Sequence, residues 1–170
     1  MKKAFLLLTF LLIIMPFTYH FYLEEKLPLK AKIDKIIIIK HEHKMYVYSK
    51  EELLKTYKIS MGRGKGKKHF EGDKKTPEGK YFIDSKNPRS SFHLNLGISY
   101  PNKDDIKYAK KSGKSPGGLI KIHGLKNGLG FIGKFHRLFD WTRGCIAVTN
   151  YEIEELYRAT PIGTPIIIKK

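Results

Sequence analysis

The sequence contains a single cysteine, Cys145, which lies 22 positions after His123. A thiolate attacks carbonyl groups, so a catalytic cysteine needs a base or a positive field to remove its proton. Glycines follow the histidine and precede the cysteine, at Gly124 and Gly144. A glycine before a nucleophile lets the backbone approach a substrate and aim amide N–H groups at an oxyanion. The spacing alone also fits a structural cysteine, because most lone cysteines pack as small hydrophobic residues.

The segments around this pair resemble the L,D-transpeptidase catalytic domain, the YkuD-like family. That family's signature is His-Gly, a spacer, and then Ser/Thr-His-Gly-Cys; here 17 residues separate His-Gly from Thr-Arg-Gly-Cys-Ile-Ala. Three upstream segments also match, LKTYKISMGRG (54–64), KTPEGKYFI (75–83) and ISYPNKDD (98–105). The resemblance covers residues 33–170. Arg143 stands where the commonest pattern has histidine, and the DWTxGCIA form resembles a branch that includes periplasmic enzymes acting on peptidoglycan-linked groups.

This resemblance implies a cysteine acyltransferase acting on peptidoglycan stem peptides, without a cofactor or metal. Cys145 is then the nucleophile and His123 the general base. The main-chain carbonyl of Gly124 orients the imidazole, and the N–H groups of Gly144 and Cys145 bind the oxyanion. The expected reaction is L,D-transpeptidation through a thioacyl-enzyme, in cell wall biogenesis or remodelling. The alternatives are an L,D-carboxypeptidase or amidase, in which water replaces the acceptor amine, and a non-catalytic basic wall-binding module.

Four further residues are candidates for substrate contact. Arg143 either binds a substrate carboxylate with two hydrogen bonds or lowers the thiol pKa, and an exposed loop cation is the plain alternative. Thr142 precedes it in the same motif. Trp141 either walls the site or packs under the loop. Tyr100 matches a family position near the acyl-donor groove.

Three other histidines invite a chemical interpretation. His136 either contacts substrate or belongs to a mobile loop. His41 and His43 are placed on one face of a predicted strand, where two imidazoles form the beginning of a metal site. The sequence offers no convincing further ligand for them, so we expect no metal.

The charge of the chain predicts an anionic partner. Lysine and arginine number 33 against 16 acidic residues, a formal charge of +17. Such a protein is attracted to polyanions, which include nucleic acid, anionic wall polymers and lipid head groups. A solvated lysine-rich surface explains the charge equally well. The N-terminal segment argues against a nucleic-acid partner.

Residues 1–23 have the pattern of a signal peptide or an N-terminal membrane anchor. Lys2 and Lys3 precede an almost wholly apolar run over residues 4–17. That run is short for a membrane span, and no clear cleavage site follows it. Either interpretation places the domain outside the cytoplasm, in the periplasm or cell wall. Residues 24–32 read as a charged linker.

The elements that position the candidate residues are mostly short strands. β-Branched and aromatic runs bounded by turn residues predict a mainly β fold, a β-sandwich with a few short helices. A Thr149-x-x-Glu152 capping box begins a helix over residues 151–159, and a second short helix covers 104–111. The predicted strands cover residues 36–40, 44–48, 54–61, 80–84, 92–100, 119–123, 145–148 and 166–168.

Overall fold

The computed structural model describes residues 24–170 and, before them, residues 14, 15, 18, 19 and 22. In chain order the elements are β1 (Lys35–Ile39), β2 (Lys44–Ser49), β3 (Glu52–Lys58), β4 (Gly79–Ser90), β5 (His93–Ile98), α1 (Lys103–Lys111), β6 (Lys121–His123), β7 (Ile146–Ala147), α2 (Asn150–Ala159) and β8 (Pro165–Lys169). Two 3₁₀ segments cover Lys40–Glu42 and Gly130–Leu138. The predicted mainly β fold with a few short helices is confirmed.

The strands form a curled sheet in the order β3-β2-β1-β8-β4-β5-β6-β7. The long strand β4 belongs to both halves, because residues 79–82 pair with β8 and residues 83–90 pair with β5. The pairing of the second half with β5 has two register irregularities, between Ile83 and Ser85 and between Asn87 and Ser90. Irregularities of this kind bend a strand. The sequence predicts only residues 80–84 of β4, because the following DSKNPRS has little β propensity.

The two outer strands of the sheet approach each other. The chain just after β3 forms isolated bridges from Ser60 to Ala147 of β7 and from Gly62 to Thr142. The isoleucines of β1 and β8 pair in parallel and bury alternate side chains in the core between the two halves. The segment that carries Cys145 is therefore held on both sides, by β6 and by the chain after β3.

Helix α2 packs behind the strands that carry the candidate site. Its Ile153 and Leu156 are fully buried against the core, as the sequence predicts. The capping box is formed: the Thr149 hydroxyl accepts from the Glu152 N–H, and the Glu152 carboxylate accepts from the Thr149 N–H. Capping satisfies backbone groups at the helix start and fixes where α2 begins, three residues after β7.

The segment predicted as a linker packs on the domain. Leu27 is 3% exposed, and its N–H donates to the buried Glu155 carboxylate at 2.9 Å. Ile33, the first residue after the predicted linker, is fully buried, and its N–H donates to the Ala159 carbonyl. Glu24 of this stretch pairs with Lys134 and Arg137, and the Lys26 ammonium lies over the Tyr151 ring of α2. The composition of the stretch alone does not reveal these contacts. The signal or anchor predicted over residues 1–23 lies almost entirely outside the described residues, and among the described ones no helix is long and apolar enough to span a bilayer.

Candidate active site

Strand register brings Cys145 and His123 to the same face of the sheet. In the parallel β6–β7 ladder, Ile122 pairs with Ile146 and His123 with Ala147. The isoleucine pair faces the core, because both residues are fully buried. Side chains alternate between faces along a strand, so His123 and Cys145 share the opposite face, on adjacent strands and offset by two residues.

A cleft of about 540 Å³ opens on this face and contains both residues. No acidic side chain of the described residues lines it. Three cations do, Arg89, Lys121 and Arg143. The remaining lining residues are polar or apolar and neutral: Asn87, Ser90, Ser91, Phe92, Asn95, Leu119, Trp141 and Thr142. The cleft therefore has the charge to accept a carboxylate-bearing ligand.

The imidazole of His123 is oriented by a main-chain carbonyl. Its Nδ1 lies 2.7 Å from the Gly124 oxygen. A carbonyl only accepts, so Nδ1 carries the proton and Nε2 presents its lone pair. Burial lowers the pKa of His123, although the hydrogen bond to Gly124 acts in the opposite direction. The residue is therefore neutral at pH 7 and able to accept a proton.

Aromatic rings hold the imidazole from two sides. The Phe92 ring centroid lies 4.6 Å from that of His123, and the Trp141 centroid lies 5.8 Å away in an edge arrangement. Phe92 and Trp141 also stack on each other at 6.2 Å. Trp141 therefore packs against the candidate base and lines the cleft.

The thiol of Cys145 is half-buried and protonated in the resting site. Its Sγ donates to the Leu119 carbonyl at 3.6 Å. Burial raises the pKa of Cys145, while the Lys121 backbone N–H and the charges of Lys121 and Lys68 act to lower it. A neutral thiol beside a neutral imidazole is the starting state of a general-base mechanism.

A tight turn fixes the backbone before the cysteine. The Thr142 hydroxyl donates to the Cys145 carbonyl at 2.7 Å and accepts from the Gly144 N–H at 3.1 Å. Thr142 is 4% exposed. Thr142 therefore stabilises the turn through these two hydrogen bonds. The expected oxyanion role of the Gly144 N–H does not fit this turn, because that N–H already donates to the Thr142 hydroxyl.

Gly144 has a steric role in this turn. Its φ is +125°, a conformation that L side chains rarely adopt. A Cβ built at this position would lie 2.7 Å from the Lys75 carbonyl oxygen. The same backbone also approaches Gly62, where a Cβ would lie 2.9 Å from the Gly144 Cα. Two glycines thus let three segments of chain converge beneath the nucleophile.

The remaining predicted substrate residues lie in different surroundings. Arg143 is exposed at the cleft, and its guanidinium makes no hydrogen bond or ion pair with a described residue. Tyr100 is not part of the cleft lining. It is 5% exposed, its hydroxyl donates to the Pro116 carbonyl at 3.0 Å, and its ring packs edge-on against Tyr81. Tyr100 therefore packs in the core, and nothing in this arrangement presents it to a ligand in the cleft.

His136 lies behind the site as a buried neutral residue. It is 4% exposed, and burial, with the charge of Arg137 and the proximity of His123, lowers its pKa to about 4. Its Nδ1 lies 3.2 Å from the Ser60 hydroxyl. The mobile-loop interpretation does not fit this environment. A contact with a ligand in the cleft does not fit it either, because His136 does not line the cleft.

His41 and His43 do not converge. His41 lies in a 3₁₀ turn and bonds the Lys170 carbonyl at 2.9 Å, whereas His43 pairs with Asp140 at 3.1 Å. The expected strand face is absent there because the hairpin turns at these residues. Within the described part of the chain, no cluster of three metal-ligating side chains is present.

Eight of the cleft residues are not predicted from the motifs, and among them are Lys121, Asn95 and Arg89. Lys121 lies two residues before His123 on β6. Asn95 of β5 pairs with His123 and is 4% exposed. Arg89 comes from the far end of β4. Because side chains alternate along a strand, Lys121 lies on the same face of the sheet as His123. The sequence alone therefore predicts that Lys121 lies near the candidate base. Asn95 and Arg89 enter only through the pairing of β4, β5 and β6.

The comparison with known families decides the relationship that the motifs suggest. Residues 33–168 match the model of the L,D-transpeptidase catalytic domain, YkuD. The chain belongs to this family. The match includes both candidate catalytic residues and all of the sheet except the last residue of β8. A search of curated proteins found no match.

Solved structures of L,D-transpeptidases and cell shape proteins share the fold. The helical cell shape determining protein Pgp2 of Campylobacter jejuni superposes with a TM-score of 0.62 and 27% identity, over 83% of this chain and 49% of Pgp2. Bd1075 of Bdellovibrio bacteriovorus gives 0.58 and 25%, over 86% and 51%. An L,D-transpeptidase of Mycobacterium smegmatis gives 0.55 and 17%, over 82% and 59%, and supports the fold alone. The chain thus spans about half the length of Pgp2 and Bd1075.

Proposed function

We propose that this protein is a cysteine acyltransferase that acts on peptidoglycan stem peptides by L,D-transpeptidation. The observation that carries the proposal is the placement of Cys145 and His123 on one face of adjacent strands, with His123 Nε2 left as the proton acceptor. The family membership supplies the substrate class. The DWTxGCIA form at residues 140–147 supports placing the chain in the branch that carries this motif.

In the first half of the reaction, the proton of the Cys145 thiol passes to Nε2 of His123 as the sulfur attacks a carbonyl of the stem peptide. The carbonyl belongs to an L-centre, such as that of meso-diaminopimelate, that precedes a D-residue. The tetrahedral intermediate collapses when the C–N bond breaks. His123 returns its proton to the departing amine of the D-residue, and a thioester remains on Cys145.

The second half repeats the proton transfers with a new nucleophile. An acceptor amine loses its proton to His123 and attacks the thioester, and the thiol of Cys145 is released. The Gly124 carbonyl keeps Nδ1–H in place through both halves. A neutral acceptor stabilises imidazolium less than a carboxylate does, and a thiol tolerates this because it ionises more readily than a serine hydroxyl.

The backbone N–H of Cys145 is the proposed oxyanion donor, because the Gly144 N–H is held by Thr142. The cations at the cleft recognise the substrate. Arg143 is exposed at the cleft, and a guanidinium binds a carboxylate with two parallel hydrogen bonds. Stem peptides carry free carboxylates, so the absence of acidic side chains among the described lining residues suits this substrate.

We further propose a role in cell shape outside the cytoplasm. Pgp2, which shares 27% identity with this chain, is described as a helical cell shape determining protein. Peptide crosslinking or trimming changes the mechanics of the wall and hence its shape. The apolar N-terminal run supports export, with the domain in the periplasm or cell wall.

The test is incubation of the full chain with a disaccharide-tetrapeptide, followed by mass spectrometry of protein and products. Cys145→Ser, which keeps the size of the side chain, is the matched control. A thioacyl adduct on Cys145 together with crosslinked dimers is the expected result. Hydrolysed tripeptide without dimers would establish a carboxypeptidase instead. Binding of substrate without an adduct or product would indicate a wall-binding module.

A further inference from the structure

The loop between β6 and the cysteine motif presents large apolar side chains to solvent. We call residues 125–139 the aromatic loop. Within it, Phe131 is 74% exposed, Leu138 72%, Phe139 65% and Leu129 41%. Single exposed apolar residues are common on soluble proteins, but a group of them within one loop marks an interaction surface.

Part of this group forms an apolar groove beside the catalytic cleft. Leu129, Leu138 and Phe139 line a groove of about 530 Å³ whose walls are almost entirely apolar. Phe92 and Trp141 form its boundary with the cleft, because both residues line both depressions. A ligand of the groove therefore lies next to the candidate active site.

The charge of the aromatic loop matches an anionic surface. The loop contains three cations, Lys126, Lys134 and Arg137, and no acidic residue. Lys134 and Arg137 are ion-paired with Glu24 and Glu152, so Lys126 is the cation of the loop that can meet an anionic surface. Lys126 is exposed and lines the apolar groove. A cation beside exposed aromatic and aliphatic side chains is the composition that binds the interface of an anionic bilayer, where apolar groups enter and lysines meet head groups. A nucleic acid would not account for the aliphatic residues.

The same loop receives the chain that follows the apolar N-terminal run. Lys134 Nζ donates to the Tyr22 carbonyl, and Arg137 pairs with Glu24 at 2.8 Å. The ring of Tyr19 lies 6.1 Å from that of Phe135. The apolar run over residues 4–17 ends just before these contacts. The described residues that follow the apolar run therefore contact the aromatic loop.

We propose that the aromatic loop docks on the surface of an anionic lipid bilayer. Phe131, Leu138 and Phe139 enter the interfacial region, and Lys126 lies at the head groups. The docked loop holds the catalytic cleft beside the membrane through Trp141 and Phe92. This proposal is independent of the reaction at Cys145 and stands whether or not acyl transfer occurs.

The test uses the full chain in vesicles of phosphatidylglycerol and phosphatidylcholine. A photo-crosslinking benzophenone amino acid replaces Phe131 in one variant and Phe82 in another. Phe82 is the matched control, because it is an aromatic residue that is 56% exposed on β4, outside the loop. Illumination is expected to give lipid adducts at position 131 at least several-fold more than at position 82. Vesicles of phosphatidylcholine alone should lower the yield at 131.

The proposal fails if positions 131 and 82 give equal lipid labelling, or if neither is labelled. A second experiment illuminates the position 131 variant in bacterial cells. Adducts to phospholipid support the proposal. Adducts to a protein without lipid adducts would show that the groove binds an apolar segment of a partner protein and would overturn membrane docking.

Discussion

Lys121 lies beside Cys145 across the β6–β7 ladder, on the face of the sheet that carries His123. The neighbouring rung pairs Ile122 with Ile146 and faces the core, which fixes this orientation. The backbone N–H and the charge of Lys121 both act to lower the pKa of the thiol against the opposing effect of burial. Lys121, two positions before the base, and Lys68 are therefore the cations that favour the thiolate, and Arg143 is not among them.

Lys121→Gln should move the pH profile of Cys145 alkylation to higher pH, because a cation near the thiolate is lost. Arg143→Gln should leave that profile in place. The measurement is the rate of iodoacetamide labelling of the folded protein between pH 6 and pH 10, followed by mass spectrometry. Arg89→Gln, another exposed cation of the cleft, is the control for general loss of charge. A larger shift in Arg143→Gln than in Lys121→Gln would assign the electrostatic role to Arg143.

Arg143→Lys should impair the use of stem peptide while leaving the thiol unchanged. A lysine keeps the charge but cannot form two parallel hydrogen bonds to a carboxylate. We expect the fall in kcat/KM to correspond to a loss of about 1 to 3 kcal/mol in transition-state stabilisation, the range for charge-assisted hydrogen bonds. The fall should arise mainly from a higher KM. Steady-state kinetics with tetrapeptide substrate measure this. Kinetics equal to those of the unmodified protein would exclude carboxylate binding by Arg143.

His123→Ala should lower turnover by about 100-fold or more, the scale of a lost general base. The lowered pKa of His123 also determines how kcat/KM of the unmodified protein depends on pH. Because burial lowers the pKa of His123, the neutral base persists to lower pH than an ordinary histidine, and kcat/KM should fall only when the pH drops below the ordinary histidine range. The measurement is the pH–rate profile from pH 4 to pH 8. A profile that instead rises through pH 6.5 to 7.5 would assign the base to a less buried group.

Gly144→Ala should abolish activity and destabilise the fold, because the new Cβ would meet the Lys75 carbonyl oxygen in a conformation that disfavours L side chains. Gly66→Ala is the matched control: its φ is also positive, at +87°, but a Cβ there meets no atom within 4 Å. Urea unfolding compares the two variants. Equal losses of stability would show that conformation, and not the contact with Lys75, makes glycine necessary at position 144.

The sequence predicts local features of this fold better than the contacts between distant segments. The isoleucine run of β1 and the Thr149–Glu152 capping box are determined by neighbouring residues, and both form as predicted. The docking of Leu27 on Glu155 joins residues 128 positions apart, and no local pattern encodes it. The motif locates Cys145 and His123, whereas Asn95 and Arg89 reach the cleft only through strand pairing. The Thr142 hydroxyl accepts a hydrogen bond from the Gly144 N–H in a tight turn, and the spacing of residues in the motif does not predict this contact.

His136 should make the stability of the protein depend on pH below neutrality. Its folded pKa is about 4 against an ordinary value of 6.5, so the unfolded chain binds a proton that the folded chain does not. The stability contribution is therefore complete above pH 6.5 and is lost as the pH falls towards 4. His136→Asn keeps a donor for the Ser60 hydroxyl but cannot be protonated in this range. We expect the free energy of unfolding of the unmodified protein to fall between pH 7 and pH 4 by about 1 to 3 kcal/mol more than that of His136→Asn. Parallel pH dependences in urea titrations would show that His136 remains accessible to protons in the folded state.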